Sequence, residues 1–141
     1  MGSRVQAMDL SLEEDYWNQE NCTEVLNLSR PDIVREIHRG YFEAGADMVE
    51  TNTFGGSPIT LGEFGLAAEI AREAAELFAA DGRDRFVVGS VGPGTRLPSL
   101  GHIDYDALES AFGTQCEGLI AGGVDAILIE TCQDPLQVKA A

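Results

Sequence analysis

Apolar residues along this chain follow two alternating patterns, one typical of helices and one typical of short buried strands. Three short apolar segments, at residues 47–51, 85–90 and 126–129, predict strands. Between them, apolar residues recur every three or four positions, which predicts helices at 66–80 and 105–121 and one that begins after Ser29. The strand starts Asp47, Phe86 and Asp125 lie 39 residues apart. Strands at a regular interval, separated by helices, predict an α/β fold of repeated βα units.

Each predicted helix has a start signal, a stop signal or an apolar stripe. Pro31 suits the first turn of a helix, where its missing N–H costs nothing, and Gly45 ends that helix. Residues 1–28 lack a clear period, and we expect them to be irregular with one short helix near residues 12–16. The predicted buried stripes are Val34, Ile37, Tyr41 and Ala44; Leu66, Ile70, Ala74 and Leu77; and Leu108, Phe112, Cys116 and Leu119.

The ends of the predicted strands carry the candidate functional groups. Two strands end in the same dipeptide, Glu50-Thr51 and Glu130-Thr131, and each follows a helix that ends at glycine. In parallel α/β folds the loops after the strands form the active face, so polar residues at these positions are functional candidates. The candidates are Glu50, Asn52, Ser90, Glu130 and Thr131.

Glu130 follows four apolar residues, which predict a buried central strand with a carboxylate in a dry pocket at its end. Such a carboxylate could bind an ammonium group or act as a base, or else pair with a lysine or cap a turn. Glu50 and Asn52 share one face of their strand, because residues two apart do so. A carboxylate beside an amide suits a zwitterionic small molecule, although a polar ring that joins strand ends would use the same residues.

Charge and cysteine content narrow the classes of function. The 141 residues include 24 acidic and 9 basic side chains, a net charge of −15 that disfavours binding to nucleic acid or to anionic membranes. No apolar run approaches the ~20 residues that span a bilayer, and no secretory signal is evident, so the expected location is the cytoplasm. Cys22, Cys116 and Cys132 are widely spaced, which predicts no disulfide framework and no metal site formed by this chain alone.

Several blocks of the sequence, in order, resemble the homocysteine S-methyltransferase family. The loop from Leu97 to Tyr105 is most similar to the homocysteine-binding domain of its cobalamin-dependent members. The resemblance covers nearly all of the chain, and blocks that occur in the same order are more specific than any one motif. The blocks are residues 30–38, 41–47, 50–55, 89–93, 129–131 and 139–141.

This resemblance implies a (β/α)8 TIM barrel and a role in methionine biosynthesis. It implies that zinc holds the homocysteine thiolate while a methyl group passes from 5-methyltetrahydrofolate, via cobalamin, to sulfur. Glu130 matches the glutamate that receives the ammonium group of the substrate. By the same resemblance Thr23 lies in a substrate-side loop and Asn52 lines the pocket, and we add Glu50 as a fourth substrate-binding candidate.

The family's zinc ligands are a cysteine and a later pair of adjacent cysteines, and none of the three cysteines here matches them. We therefore interpret residues 1–141 as the N-proximal part of a homocysteine-binding barrel, roughly its first half, truncated at both ends and inactive alone. Folate and cobalamin modules are the expected partners. Two alternatives stay open: a non-catalytic half-barrel that assembles with a partner, and an unrelated βα-barrel enzyme that uses Glu50 and Glu130 as an acid/base pair.

Overall fold

The computed structural model describes residues 1–55 and 61–141, with side chains of the second range described from Gly65 onward. Three parallel strands form its sheet: β1 (Met48–Glu50), β2 (Phe86–Val91) and β3 (Ala126–Ile129), in that order. Val49 pairs with Val87, and Val88 pairs with Ala126. The predicted α/β class and its parallel strands are confirmed.

Six α-helices accompany the sheet in the described residues. They are α1 (Gly2–Gln6), α2 (Leu26–Ser29), α3 (Pro31–Glu43), α4 (Leu61–Phe78), α5 (Tyr105–Ala121) and α6 (Pro135–Ala140), with 3-10 turns at Thr23–Val25, Ala79–Asp81 and Pro98–Leu100. Pro31 occupies the first turn of α3, and the Asp104 side chain accepts hydrogen bonds from the first turn of α5, as expected for an N-cap. Within the described ranges, no helix combines the length and the apolar character that crossing a bilayer requires.

The short helix predicted near residues 12–16 is not formed, although residues 7–22 are irregular as expected. Residues 12–15 form turns, and the ordered helices in this region are α1 and α2. Ser11 explains the difference, because its N–H donates to Asp15 Oδ2 at 2.8 Å and its hydroxyl accepts from the Glu14 N–H at 3.2 Å. Short polar side chains that bond to the nearby backbone in this way compete with the helix.

One face of the sheet packs on the long helices. Val49 and Val87 contact Phe42 and a row of alanines on α4, while Val91 packs on α5. The α3 stripe differs from the predicted one: His38 and Phe42 are buried, whereas Tyr41 and Ala44 are exposed. Phe42 is drawn inward by Phe78, whose ring centroid lies 5.8 Å away. On α4 the buried positions are mostly alanines, and Leu77 is 63% exposed.

The opposite face of the sheet carries apolar side chains that no described helix covers. Met48, Phe86 and Leu128 are 58%, 42% and 38% exposed. β3 is also an edge strand of the described sheet, with Ile129 exposed, so the prediction of a buried central strand before Glu130 was wrong for this sheet. An apolar run alone cannot distinguish a strand that is covered from one whose cover lies elsewhere.

The aspartates at the starts of the strands form ion pairs that hold the strands in place. Asp47 pairs with Arg83, and the Asp125 carboxylate accepts both the Arg72 guanidinium and the backbone N–H of Val87 at 2.7 Å. Partial burial raises the pKa of Asp125, but these hydrogen bonds outweigh it and hold the pKa below its usual value. The two aspartates therefore tie each strand start to its neighbours.

Candidate functional site

A cleft of about 680 Å³ borders β1 along its length and reaches the residues that follow β2 and β3. Its lining includes all four residues that the sequence predicts as substrate ligands: Glu130, Asn52, Glu50 and Thr23. Their roles in binding stay predictions. The complete lining is Met1, Gly2, Asn21, Thr23, Glu24, His38, Tyr41, Met48, Val49, Glu50, Thr51, Asn52, Phe54, Gly55, Ser90, Thr95 and Glu130.

Glu130 is half-buried at the end of β3, and its carboxylate has a fixed partner. The Ser90 hydroxyl donates to Glu130 Oε1 at 2.6 Å, within the range of charge-assisted O–H···O bonds. Thr131 Oγ1 lies 3.5 Å from the other oxygen, Oε2, which is too long for a strong hydrogen bond. The ordered carboxylate at this strand end therefore keeps one oxygen available to a ligand.

The backbone is strained directly after Glu130. Thr131 has φ 58°, in the left-handed region that β-branched residues rarely adopt. Such strain persists only where the surrounding structure imposes it, and it is concentrated at functional sites. The turn at Thr131 ends β3 abruptly and leaves Glu130 at the edge of the cleft.

Asn52 is almost fully buried, and its amide N–H groups are already in use. Nδ2 donates to the Thr23 carbonyl at 2.8 Å and to Asn27 Oδ1 at 3.2 Å. Thr23 thus contributes its backbone to the site, and Asn52 joins the segment around Thr23 to the end of β1. The arrangement gives Asn52 a positioning role, and only its amide oxygen is left as an acceptor for a ligand.

Glu50 is not level with Glu130 on the sheet, although the same Glu-Thr dipeptide ends both strands. It is exposed and pairs with Val88, which in turn pairs with Ala126, four residues before Glu130. From strand spacing and rise, the Cα atoms of Glu50 and Glu130 are roughly 16 Å apart. The two glutamates therefore do not lie side by side at the strand ends, as the repeated dipeptide suggested.

A buried hydrogen-bond network beneath the cleft joins the ends of β1 and β2. Thr53 Oγ1 donates to the Ser90 carbonyl at 2.6 Å, and the Ser90 N–H donates to Thr51 Oγ1 at 3.0 Å. Gln115 of α5 donates to both the Thr53 and Ser90 carbonyls, at 2.9 and 3.2 Å. No sequence pattern marks Gln115, because its role depends on the helix lying directly under two strand ends.

Glu24 is a further cleft carboxylate that the sequence did not reveal. It is 7% exposed and accepts the Gly55 N–H. Together with Glu50 and Glu130, it makes the side chains of the cleft acidic, and no lysine or arginine side chain is among its described lining residues. The described cleft therefore favours a ligand that carries a positive charge.

His38 also reaches the cleft but stays neutral. Burial lowers its pKa to about 4, and its Nε2 atom has no hydrogen-bond partner among the described residues. The three cysteines are free, and burial raises the pKa of each thiol. In the described part of the chain, no cluster of histidine, cysteine and acidic side chains is arranged to hold a metal ion. The described donors thus do not fit the zinc that the resemblance implies.

Comparison with known proteins places the chain in a family. A family model described as Homocysteine S-methyltransferase matches residues 1–141. The chain belongs to the homocysteine S-methyltransferase family. This family member is 48% identical, over an alignment of 151 residues, to methionine synthase of Mycobacterium tuberculosis and 46% identical to methionine synthase of Mycobacterium leprae. The whole chain is aligned in both cases, but it spans only 13% and 12% of the length of those two relatives.

Solved structures support the same fold. The metallated form of the homocysteine methyltransferase MmuM from Escherichia coli matches with a TM-score of 0.77 at 23% identity, over 99% of this chain and 54% of that protein. Its apo form matches with a TM-score of 0.73 at 20% identity. At these identities the likeness concerns the fold. The α/β arrangement of this homocysteine S-methyltransferase family member therefore corresponds to about half of a solved family structure.

Proposed function

We propose that this chain is part of a methionine synthase and that its cleft binds the amino acid portion of homocysteine. The observation that carries the proposal is the Ser90–Glu130 hydrogen bond, which orders a carboxylate in an acidic cleft at the strand ends. A fixed carboxylate there can accept the substrate ammonium group, as the resemblance implies for Glu130. The family membership and the two methionine synthase relatives support this reading.

We propose further that residues 1–141 form the N-proximal part of a (β/α)8 homocysteine-binding barrel. Parallel sheets need cover on both faces, and the face with Met48, Phe86 and Leu128 has none among the described helices. The remaining strands of a barrel would close over this face. The match to about half of a solved family structure agrees with that arrangement.

The reaction proposed for the complete protein transfers a methyl group from 5-methyltetrahydrofolate, by way of cobalamin, to the sulfur of homocysteine. Folate and cobalamin modules would then be partners of this domain, and the cytoplasm would be its location. Because the cysteines described here do not cluster, the proposed zinc would be held by residues outside this chain. The contribution of this chain is to bind and orient the substrate through Glu130.

The test is to measure homocysteine binding by the complete protein with Glu130→Gln, using isothermal titration calorimetry. Glutamine keeps the size but removes the charge, so we expect affinity to fall about tenfold or more, the loss typical of a charged hydrogen bond. Glu109→Gln, on the exposed face of α5, is the matched control and should bind like the wild type. Wild-type affinity in the Glu130 variant would refute the proposed role.

One observation favours a second candidate. The uncovered apolar face of the sheet would also suit a non-catalytic half-barrel that assembles with itself or with a second half. Size-exclusion chromatography with light scattering distinguishes the two possibilities for the 141-residue chain. A stable, monodisperse dimer supports half-barrel assembly, whereas a monomer excludes it.

A further inference from the structure

Ser90 is the most constrained polar residue at the cleft. It is 2% exposed, and its backbone is fixed from two sides. The Ser90 N–H donates to Thr51 Oγ1 on one side, and the Ser90 carbonyl accepts from Thr53 Oγ1 and from Gln115 on the other. The direction of its side chain is therefore set by the segment after β1 and by α5 before any ligand binds.

The Ser90 hydroxyl has a single proton, and it donates that proton to Glu130 Oε1 at 2.6 Å. This bond requires Oε1 to act as the acceptor. It also removes rotational freedom from a glutamate side chain that would otherwise be flexible on a half-buried edge strand. Among the described residues, Oε2 has only the 3.5 Å contact to Thr131, and it is the oxygen left for a ligand.

We propose that Ser90 is a positioning residue that makes this cleft select thiol acids carrying a cationic amine over those without one. The inference rests on the proposed binding of homocysteine at Glu130 and adds the residue that makes this carboxylate selective. A carboxylate whose Oε1 is held by Ser90 presents a fixed negative oxygen, which an ammonium group can satisfy. Without the hydroxyl, the carboxylate turns toward solvent and the advantage of the amine falls.

The test compares two ligands in the complete protein: homocysteine, and 4-mercaptobutanoate, which has the same thiol and carboxylate but no amine. Calorimetry gives the affinity ratio of the two ligands for the wild type, Ser90→Ala and Ser90→Thr. We expect Ser90→Ala to lower that ratio about tenfold by weakening homocysteine alone, because a hydrogen bond to a charged group is typically of this strength. Ser90→Thr, which keeps the hydroxyl, should restore most of the ratio.

A matched control and a double variant separate positioning from structural damage. Ser110→Ala, on the exposed side of α5, should leave both affinities unchanged. In a Glu130→Gln background, Ser90→Ala should have no further effect on the ratio, because Ser90 acts through Glu130. An additive effect of the two substitutions would overturn the inference.

The remaining outcomes distinguish this inference from the proposed function. If the wild type shows no preference for homocysteine over 4-mercaptobutanoate, both the proposed amine site and the inference fail. If the wild type has the preference and Ser90→Ala keeps it, only the inference fails. An equal loss of affinity for both ligands in Ser90→Ala would show that Ser90 has a structural role, and it would also overturn the inference.

Discussion

Asn27 and Asn52 are joined by two reciprocal hydrogen bonds. Asn27 Nδ2 donates to the Asn52 carbonyl at 2.8 Å, and Asn52 Nδ2 donates to Asn27 Oδ1 at 3.2 Å. Both residues are at least 96% buried, with exposures of 3% and 4%. The pair fastens α2 to the loop after β1, so one wall of the cleft depends on a helix of only four residues.

Replacing Asn27 with leucine should destabilise the protein by about 2 kcal/mol. Leucine has a similar volume, but it leaves the buried Asn52 carbonyl and one N–H of the Asn52 amide without their partner. An unsatisfied buried group costs about 1–3 kcal/mol. The measurement is the urea unfolding midpoint. Gln19→Leu makes the same chemical change at an exposed position and should alter the midpoint little. Equal effects of the two substitutions would contradict the importance of the pair.

A second prediction concerns the contact between α5 and α4. A Cβ atom at Gly122 would lie 2.3 Å from the Gly65 carbonyl oxygen and 2.6 Å from Ala68 Cβ, so Gly122→Ala must push the helices apart. We expect a loss of about 2 kcal/mol, typical of overpacking. Gly113→Ala, inside α5 with nothing within 4 Å of its Cβ, should instead stabilise the protein by about 0.5–1 kcal/mol through helix propensity. Thermal unfolding of both variants tests whether the two changes in stability have opposite signs.

The Asp134 carboxyl group should make the stability of the protein depend on pH. Hydrogen bonds from Ser99, and a further one from the Leu136 N–H, hold the pKa of this carboxyl below its usual value. A carboxyl whose pKa is lowered in the folded state stabilises fully above its unfolded pKa, near 4, and this contribution is lost as pH falls through the folded value. Asp134→Asn should therefore be less stable than the wild type at pH 7, and the difference should shrink at pH 3.

Urea unfolding at the two pH values measures this change. Asp84→Asn, at an exposed position, serves as the control and should show a much smaller difference at pH 7. A difference for Asp134→Asn that stays constant from pH 7 to pH 3 would rule out a contribution from the ionised carboxylate.

Thr131→Gly should raise stability by about 1 kcal/mol, because glycine adopts φ near 58° without the steric cost that threonine bears. If the strained turn serves to present Glu130, the same variant should bind homocysteine more weakly. Thr114→Gly, within α5, should show the opposite stability change since glycine weakens helices. Unfolding midpoints and calorimetry together test this prediction, and a loss of stability in Thr131→Gly would contradict it.

The reduced 141-residue chain should not take up zinc tightly. Burial raises the pKa of the Cys22, Cys116 and Cys132 thiols, which disfavours the thiolate that zinc requires, and the described donors do not cluster. Competition with a chromophoric chelator measures the uptake. Stoichiometric binding at nanomolar affinity would show that the chain forms its own metal site.

Strands and long helices could be predicted from the sequence because their signals are local. The predicted bounds of α5 and the end of β3 at Ile129 agree with the structure, and Pro31 marked the start of α3 correctly. The prediction of the buried side of α3 was wrong because Tyr41 and Phe42 are adjacent aromatic residues, and either of them could face the core. Only the position of Phe78 decides which of them turns inward.

The sequence pointed to several residues that line the cleft, but not to the geometry of the cleft. Strand ends pointed to Glu130, Asn52 and Glu50, and all three line the cleft. The sequence repeat placed the two glutamates at equivalent heights, whereas strand register separates them by four residues. Register depends on how strands pair, so a repeated dipeptide could not reveal it. Contacts such as Gln115 with the Ser90 carbonyl likewise arise only after the helix has packed.

The uncovered face of the sheet should also affect the solubility of the isolated chain. Met48 and Phe86 are neighbours on this face, Leu128 lies further along it, and all three are exposed in a described sheet whose outer strands can still pair. When it is produced alone, the chain should bind dyes such as 1-anilinonaphthalene-8-sulfonate and should aggregate as its concentration rises. If another polypeptide covers this face, as proposed, its co-expression should lower the fluorescence of the dye.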